Sequence, residues 1–349
     1  ALACLALADA ENLIHHAEIA LAMSLEALQA VSRAYDERLH AVRNHRGQQA
    51  SAAHVRRLLV GSQLIDSAQR VQDAYTLRCA PQVLGAVRDT LSFVHTSVVN
   101  EINAATDNPL IFLDEPHPNK AFSGGNFHGE PLAMASDFLG IAVAEAGSIA
   151  ERRVFRLLDG TINSGLPNML TADSGLQSGM MMAQYTAAAL ASDNKTLAHP
   201  DSVDSIPTGA NQEDHVSMGA NAARHAREIV WNSERIVAIE MLCAAQALDY
   251  RMAGAGSHEG GQGHNQRDAA DGLADHADQH DGAGPRLGPG TAAAHRFLRA
   301  SGLAPLTEDR VLAPDIELVA QPIHSGEIAK AVEASLAARG STSHREAKR

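Results

Sequence analysis

A long helical pattern between Asp204 and Arg251 constrains this chain more than any other feature. Ile206-Pro207-Thr208-Gly209 is turn chemistry, because proline fixes φ and glycine admits a positive φ. Downstream, Val216, Met218, Ile229, Val230, Ile236, Val237, Ile239, Leu242 and Leu248 fall largely on one helical face, with polar residues between them. Asn211 reads as the N-cap, which puts Glu213 and Asp214 in the first turn, where the helix dipole favours anions. Asn211, Gln212, Glu213, Asp214, His215 and Ser217 crowd polar groups into one short run. The helix behind them is expected to carry them into the body of the protein, and clustered acids of that kind mark functional sites. An acidic helix start with no further role is the competing reading.

A helix of this length needs partners of its own kind. Residues 132–158 and 176–198 supply two more apolar helical patterns, and Met180, Met181 and Met182 read as core filler. An excess of alanine, leucine, glutamate and arginine favours helix. Strand signal is confined to Leu110-Ile111-Phe112, after the turn Asp107-Asn108-Pro109. The expected fold is all-α, a bundle of long helices joined by short connections. The first 34 residues are already helical in pattern. They lack a basic leader region, and Ala8-Asp9-Ala10-Glu11 breaks their apolar run, so they read as the middle of a core helix cut from a longer chain. No segment reads as long and apolar enough to cross a bilayer. A net charge of −13, from 28 basic and 41 acidic residues, speaks against nucleic acid as a partner. Cys4, Cys79 and Cys243 form neither a disulfide framework nor a zinc-ligand spacing, which points to a reducing cytoplasm.

Polar residues gather again in VQDAYTLRCAPQVLGA, where Gln72, Asp73, Tyr75, Arg78 and Gln82 surround Pro81. Guanidinium grips a carboxylate through two parallel hydrogen bonds, and a tyrosine beside a cation can shuttle protons. A surface Arg–Asp pair at a helix start is the bland alternative. Residues 46–70 read as a loop followed by a helix at Val55–Leu59, and 81–101 as helix. Ser123-Gly124-Gly125-Asn126-Phe127-His128-Gly129 has paired glycines that let backbone approach a neighbour, but it lacks the Gly-Lys-Ser/Thr end of a phosphate loop. Three parts are expected: residues 1–251 as a helical bundle with its loops, 252–290 as a flexible Gly/His/Asp-rich insertion, and 291–349 as short helices (291–299 and 323–338) with a frayed tail. His276 and His280 share a helix face within the insertion, but the ligand set is incomplete and no metal is expected.

Taken in order, YTLRCAPQVLGA, NEINAATDNPLIF, SGGNFHGEP, SIAERR, AQYTAAALASDNKTLAHPDSVDSIPTGANQEDHVSMG and EDRVLAPDIE resemble the aromatic amino acid ammonia-lyase family, its histidine-acting branch above all. The matches cover most of residues 1–251 and about 303–320. The resemblance implies an all-α bundle assembled as a homotetramer, with each active site built by several subunits and an amino acid as substrate. The reaction implied is loss of ammonia from L-histidine to give urocanate. A phenylalanine or tyrosine ammonia-lyase, a related aminomutase, or a catalytically silent helical assembly subunit is the alternative. A fumarase-like enzyme is disfavoured, since its Gly-Ser-Ser loop is not visible.

By resemblance, Arg78 binds the substrate carboxylate, Tyr75 sits beside the electrophile and transfers protons, and Gln72 supports them. Phe127 packs near the electrophile. Glu213 stands near the imidazole, where the phenylalanine and tyrosine enzymes have glutamine. The family's electrophile is 4-methylidene-imidazol-5-one (MIO), cyclised from an internal Ala-Ser-Gly. The N-terminal context of that tripeptide has no counterpart in this sequence, so the cofactor is not expected to be carried by this chain, and the chain is expected to need the missing part for activity. Ala300-Ser301-Gly302 lies instead just before EDRVLAPDIE and is read as a chance occurrence.

Overall fold

The computed structural model describes residues 1–114, 116, 118–254 and 284–346. The axis of the fold is α8 (Gly219–Met252), 34 residues long, or about 51 Å at 1.5 Å per residue. From Ile236 to Leu248 every residue is buried. Its apolar character is therefore more than a stripe: a helix enclosed on all sides is a central helix. Around it lie α1 (Leu2–Ala27), α6 (Glu130–Leu158) and α7 (Met181–Leu197), with α5 (Ala80–Ile102) outside them against α6 and α1. The expectation of an all-α bundle holds; the described residues pair as strands only at Leu110–Ile111 with Ala121–Phe122.

Small residues let the helices close up. In α1 everything from His16 to Ala27 is buried, and four of those residues are alanine. Between α3 (Arg46–Leu59) and α5 two glycines meet. A Cβ on Gly47 would come within 2.1 Å of the Gly85 carbonyl oxygen, so only glycine permits that crossing. At the centre of the bundle one buried ion pair joins α6 to α8. Glu240 of α8 accepts from Arg153 Nε at 2.5 Å and Nη2 at 2.7 Å, and from the Ser24 hydroxyl at 2.7 Å.

Several boundaries differ from the sequence reading. α3 spans Arg46–Leu59 and the loop follows it, the reverse of the expected order; a short α2 (Glu37–Arg43) precedes it. α7 starts at Met181, and of the three methionines only Met180 is fully buried, while Met182 is exposed. The C-terminal helices are α9 (Pro289–Ala300), α10 (Ala313–Ser325) and α11 (Glu327–Glu346). The helix expected at 323–338 is thus two, split at Gly326 with φ +76°, and helix continues to Glu346 where a tail was expected. α6 is long enough and apolar enough to span a bilayer, which the sequence reading passed over. In this fold 61% of its most apolar window is buried inside the bundle, so it is a core helix here. His276 and His280 lie outside the described residues.

The C-terminal helices are fastened to the bundle by buried bonds. Gln246 accepts from Leu306 N–H at 2.9 Å and donates to its carbonyl at 3.0 Å. Glu26 accepts from Gly288 N–H at 2.7 Å. His16 receives the Ala329 N–H of α11 on Nε2 at 3.2 Å, while its Nδ1 donates to Asn12 O at 2.9 Å.

Candidate active site

The sequence-predicted residues fall into two groups, one toward each end of α6. The first is carried by α4 (Tyr75–Arg78), a single turn leading into α5. Its backbone is held from three sides. The buried Tyr35 hydroxyl donates to Leu77 O at 2.6 Å, and Thr76 Oγ1 donates to Ile149 O of α6 at 3.3 Å. Asp73 accepts from Val31 N–H at 2.7 Å and pairs with Arg70 at 2.8 Å. On this mount the Arg78 guanidinium lies 4.5 Å from the centre of the Tyr75 ring, and its Nε donates to Asp73 O at 2.9 Å. Arg78 is therefore not the Arg–Asp carboxylate pair of the bland reading: Arg70 takes that role. Tyr75 is 70% exposed, and Gln72 is exposed beside it.

The second group sits where the 123–129 and 204–218 loops meet the N-terminus of α6. Asn108 fixes the first loop, accepting on Oδ1 from Gly124 N–H at 2.8 Å and from the Ser123 hydroxyl at 3.1 Å. Phe127 projects from it with 58% of its surface exposed. Glu213 does not lie in the first turn of a helix, and Asn211 is not an N-cap. Gly209, Ala210 and Asn211 all have positive φ, which turns the chain back on itself, and α8 begins only at Gly219. Glu213 closes this turn: its backbone pairs with Thr208, and its Oε2 accepts from the Thr208 hydroxyl at 2.5 Å. The segment is exposed rather than carried into the body of the fold.

The two loops are joined by histidines that the sequence reading did not assign to the site. His128 Nε2 lies 3.3 Å from His215 O, and the two rings meet edge-on with centroids 5.6 Å apart. Gly129 passes so close that a Cβ there would sit 3.0 Å from Ser217 Oγ. One histidine adjoins Phe127 and the other follows Glu213 by two positions, the only signal of this pairing in the sequence.

Thr76 meets α6 at Ile149, whereas the loops that carry Phe127 and Glu213 meet at its N-terminal end, where Gly129 lies against Ser217 and Gly219 just before Glu130. Nineteen helical residues separate these points, about 28 Å at 1.5 Å per residue. The chain thus joins Tyr75 to Arg78, and the loop of Phe127 to that of Glu213, but attaches the two groups to α6 at separate points. Ala300-Ser301-Gly302 belongs to neither: it ends α9, with Ser301 Oγ donating to Phe297 O at 2.9 Å and Gly302 N–H to Arg299 O at 3.2 Å.

The family model for aromatic amino acid lyases matches residues 1–271. The chain belongs to the aromatic amino acid lyase family. Among the family's members it is 50% identical over 337 residues to a histidine ammonia-lyase of Symbiobacterium thermophilum, a match covering 96% of this chain and 59% of that one. Of solved structures it resembles the histidine ammonia-lyase of Trypanosoma cruzi, with 40% identity, a TM-score of 0.79, and coverage of 96% of this chain and 57% of the other. It also resembles a tyrosine aminomutase from Streptomyces globisporus, with 35% identity, a TM-score of 0.80, and coverage of 96% and 61%. The chain thus spans about three fifths of the length of these relatives, 59% for the first.

Proposed function

We propose that the full-length protein carrying this chain eliminates ammonia from L-histidine to give urocanate. The observation that carries the choice of substrate is Glu213. Its carboxylate is exposed at the loop end and steadied by the Thr208 hydroxyl, so it can accept the ring N–H that imidazole offers and a phenyl ring lacks. The similarity to histidine ammonia-lyases at 50% and 40% identity supports the same choice over the tyrosine aminomutase likeness at 35%.

At the other end, Arg78 spends only Nε on the protein, leaving both Nη groups without a partner among the described residues. That suits a planar fork for the substrate carboxylate. Tyr75 stands exposed beneath this guanidinium, with its hydroxyl placed to take or return a proton. By the family resemblance, Gln72, exposed in the segment before α4, would support this pair. MIO, the family's group, would supply an electrophile that helps the amine to leave. The exposed Tyr75 and Phe127 rings fit a neighbour of that kind, Phe127 packing against it and Tyr75 standing beside it. The Ala300–Gly302 tripeptide does not fit this part, because its amides are bound into the end of α9; the group would come from outside this chain.

The two groups attach to α6 at points about 28 Å apart along the helix, which suits a second copy, as in a homotetramer whose sites combine Tyr75 and Arg78 of one protomer with Phe127 and Glu213 of another. Exposed apolar side chains on the outer face of α5 and α6, among them Phe93, Met134, Phe138 and Ile141, give such copies a surface to share. The free thiols of Cys4, Cys79 and Cys243 suit a reducing cytoplasm. The test is turnover of L-histidine by the full-length protein, followed through urocanate absorbance, with L-phenylalanine and cinnamate as the control. Preference for phenylalanine would favour the aromatic rivals, and no turnover of either the silent subunit.

A further inference from the structure

Away from both ends of α6, a cluster of imidazoles and carboxylates joins α1, α3 and α11. We propose that His15, His54 and Glu333 form a binding site for a divalent transition ion of the zinc class, with Glu18 as the carboxylate behind His54.

Glu18 is wholly buried and both of its oxygens are engaged. Arg88 Nε donates to Oε1 at 2.7 Å, Arg88 Nη2 to Oε2 at 2.6 Å, and His54 Nδ1 to Oε2 at 2.5 Å. Donation from Nδ1 sets the tautomer of His54 and leaves the Nε2 lone pair outward. Carboxylate–histidine–metal relays are built in this way, the carboxylate fixing the ring and raising its basicity. Nε2 faces Glu333 Oε1 at 3.6 Å, too long for a hydrogen bond. Two ligand atoms on a tetrahedral zinc ion stand about 3.3 Å apart, so this gap needs only a small adjustment.

His15 completes the set. It lies three residues before Glu18 on the same face of α1, and its ring meets that of His54 edge-on at 5.6 Å. Donor atoms of His15, Glu18 and His54 all fall within 4.8 Å of one another. His15 is exposed, so water can fill the fourth position of an open three-ligand site. Arg57 holds the other oxygen of Glu333 at 2.7 Å and need not move. Arg57 and Arg88 balance the two carboxylates, so the ion is held by its donor atoms without a surplus of negative charge. The ion would tie the C-terminal helix to the core of the bundle.

Chelator-treated protein titrated with Co2+ tests this through the visible absorption of tetrahedral cobalt, with calorimetry for Zn2+. The expected result is one ion per chain, bound at least about tenfold more weakly after His15→Ala or Glu333→Gln. Zn2+ should raise Tm in the parent and not in these variants. The double substitution His276→Ala with His280→Ala controls for the histidines of the Gly/His/Asp-rich segment and should leave the titration unchanged. The proposal is overturned if the parent shows no tetrahedral band, if His15→Ala and Glu333→Gln bind as the parent does, or if the double substitution abolishes binding.

Discussion

The two ends of α6 hold their candidate residues in opposite ways. At the Tyr75 end a one-turn helix is bolted to the core by Tyr35, Thr76 and Asp73, so Arg78 and Tyr75 are placed before any substrate arrives. At the Phe127 end two exposed loops lean on each other through His128, His215 and Ser217. Preorganisation at the first end is supplied by the chain's own core. At the second, a neighbouring copy can still shape the loops. Stability and activity should therefore be coupled at the Tyr75 end and separable at the Phe127 end.

Glu213→Gln should show that separation most clearly. Removing a base of this kind costs about 10²–10⁴-fold in histidine turnover, while Tm stays at the parent value because Glu213 is exposed. Normal histidine turnover by this variant would return Glu213 to the role of a turn residue. Arg78→Lys should cost less, about 10–100-fold in kcat/KM, since lysine keeps the charge and loses the fork. An unchanged kcat/KM would remove Arg78 from the site.

Acid supplies a control away from both ends. Burial pushes the His16 pKa down to about 4, and its Nε2 must stay unprotonated to receive the Ala329 N–H. The unfolded chain binds this proton near pH 6.5, so the stabilising contribution is complete above that pH and is lost as pH falls toward 4. The loss is about 3 kcal/mol. Urea midpoints at pH 7.5 and 4.5 should diverge less in His16→Gln than in the parent; an equal drop in both would place the acid sensitivity elsewhere. The smallest effects compare the two mounts directly. Tyr35→Phe removes a buried bond and should lower stability by about 1 kcal/mol, whereas His128→Ala should change it by less than about 0.5 kcal/mol. Equal losses in thermal melts would erase the contrast between a rigid and a loose end.

Much of this was legible in the sequence. Long apolar periodicities at 132–158 and 216–251 survive as α6 and α8 because burial on several sides tolerates errors of a few residues. The turn at Glu213 was not legible. Its conformation rests on Ala210 and Asn211 with positive φ, and alanine carries no sign of that backbone. Val216 and Met218 also extend the helical period past the true start at Gly219. The separation of the candidate residues along α6 was invisible for another reason. Motifs give the order of residues, whereas the separation depends on Thr76 packing beside Ile149 rather than near Glu130.

That separation has a genetic consequence. If sites join two copies, alleles damaged at Arg78 and at Glu213 are each inactive alone yet rescue one another when co-expressed. Random mixing of equal amounts leaves up to about one site in four with both residues intact. A heterozygote carrying one lesion of each kind should regain that share of histidine turnover, and two lesions within the same group should regain none. Substitutions toward opposite ends of α6 would then fall into two complementation groups within a single gene.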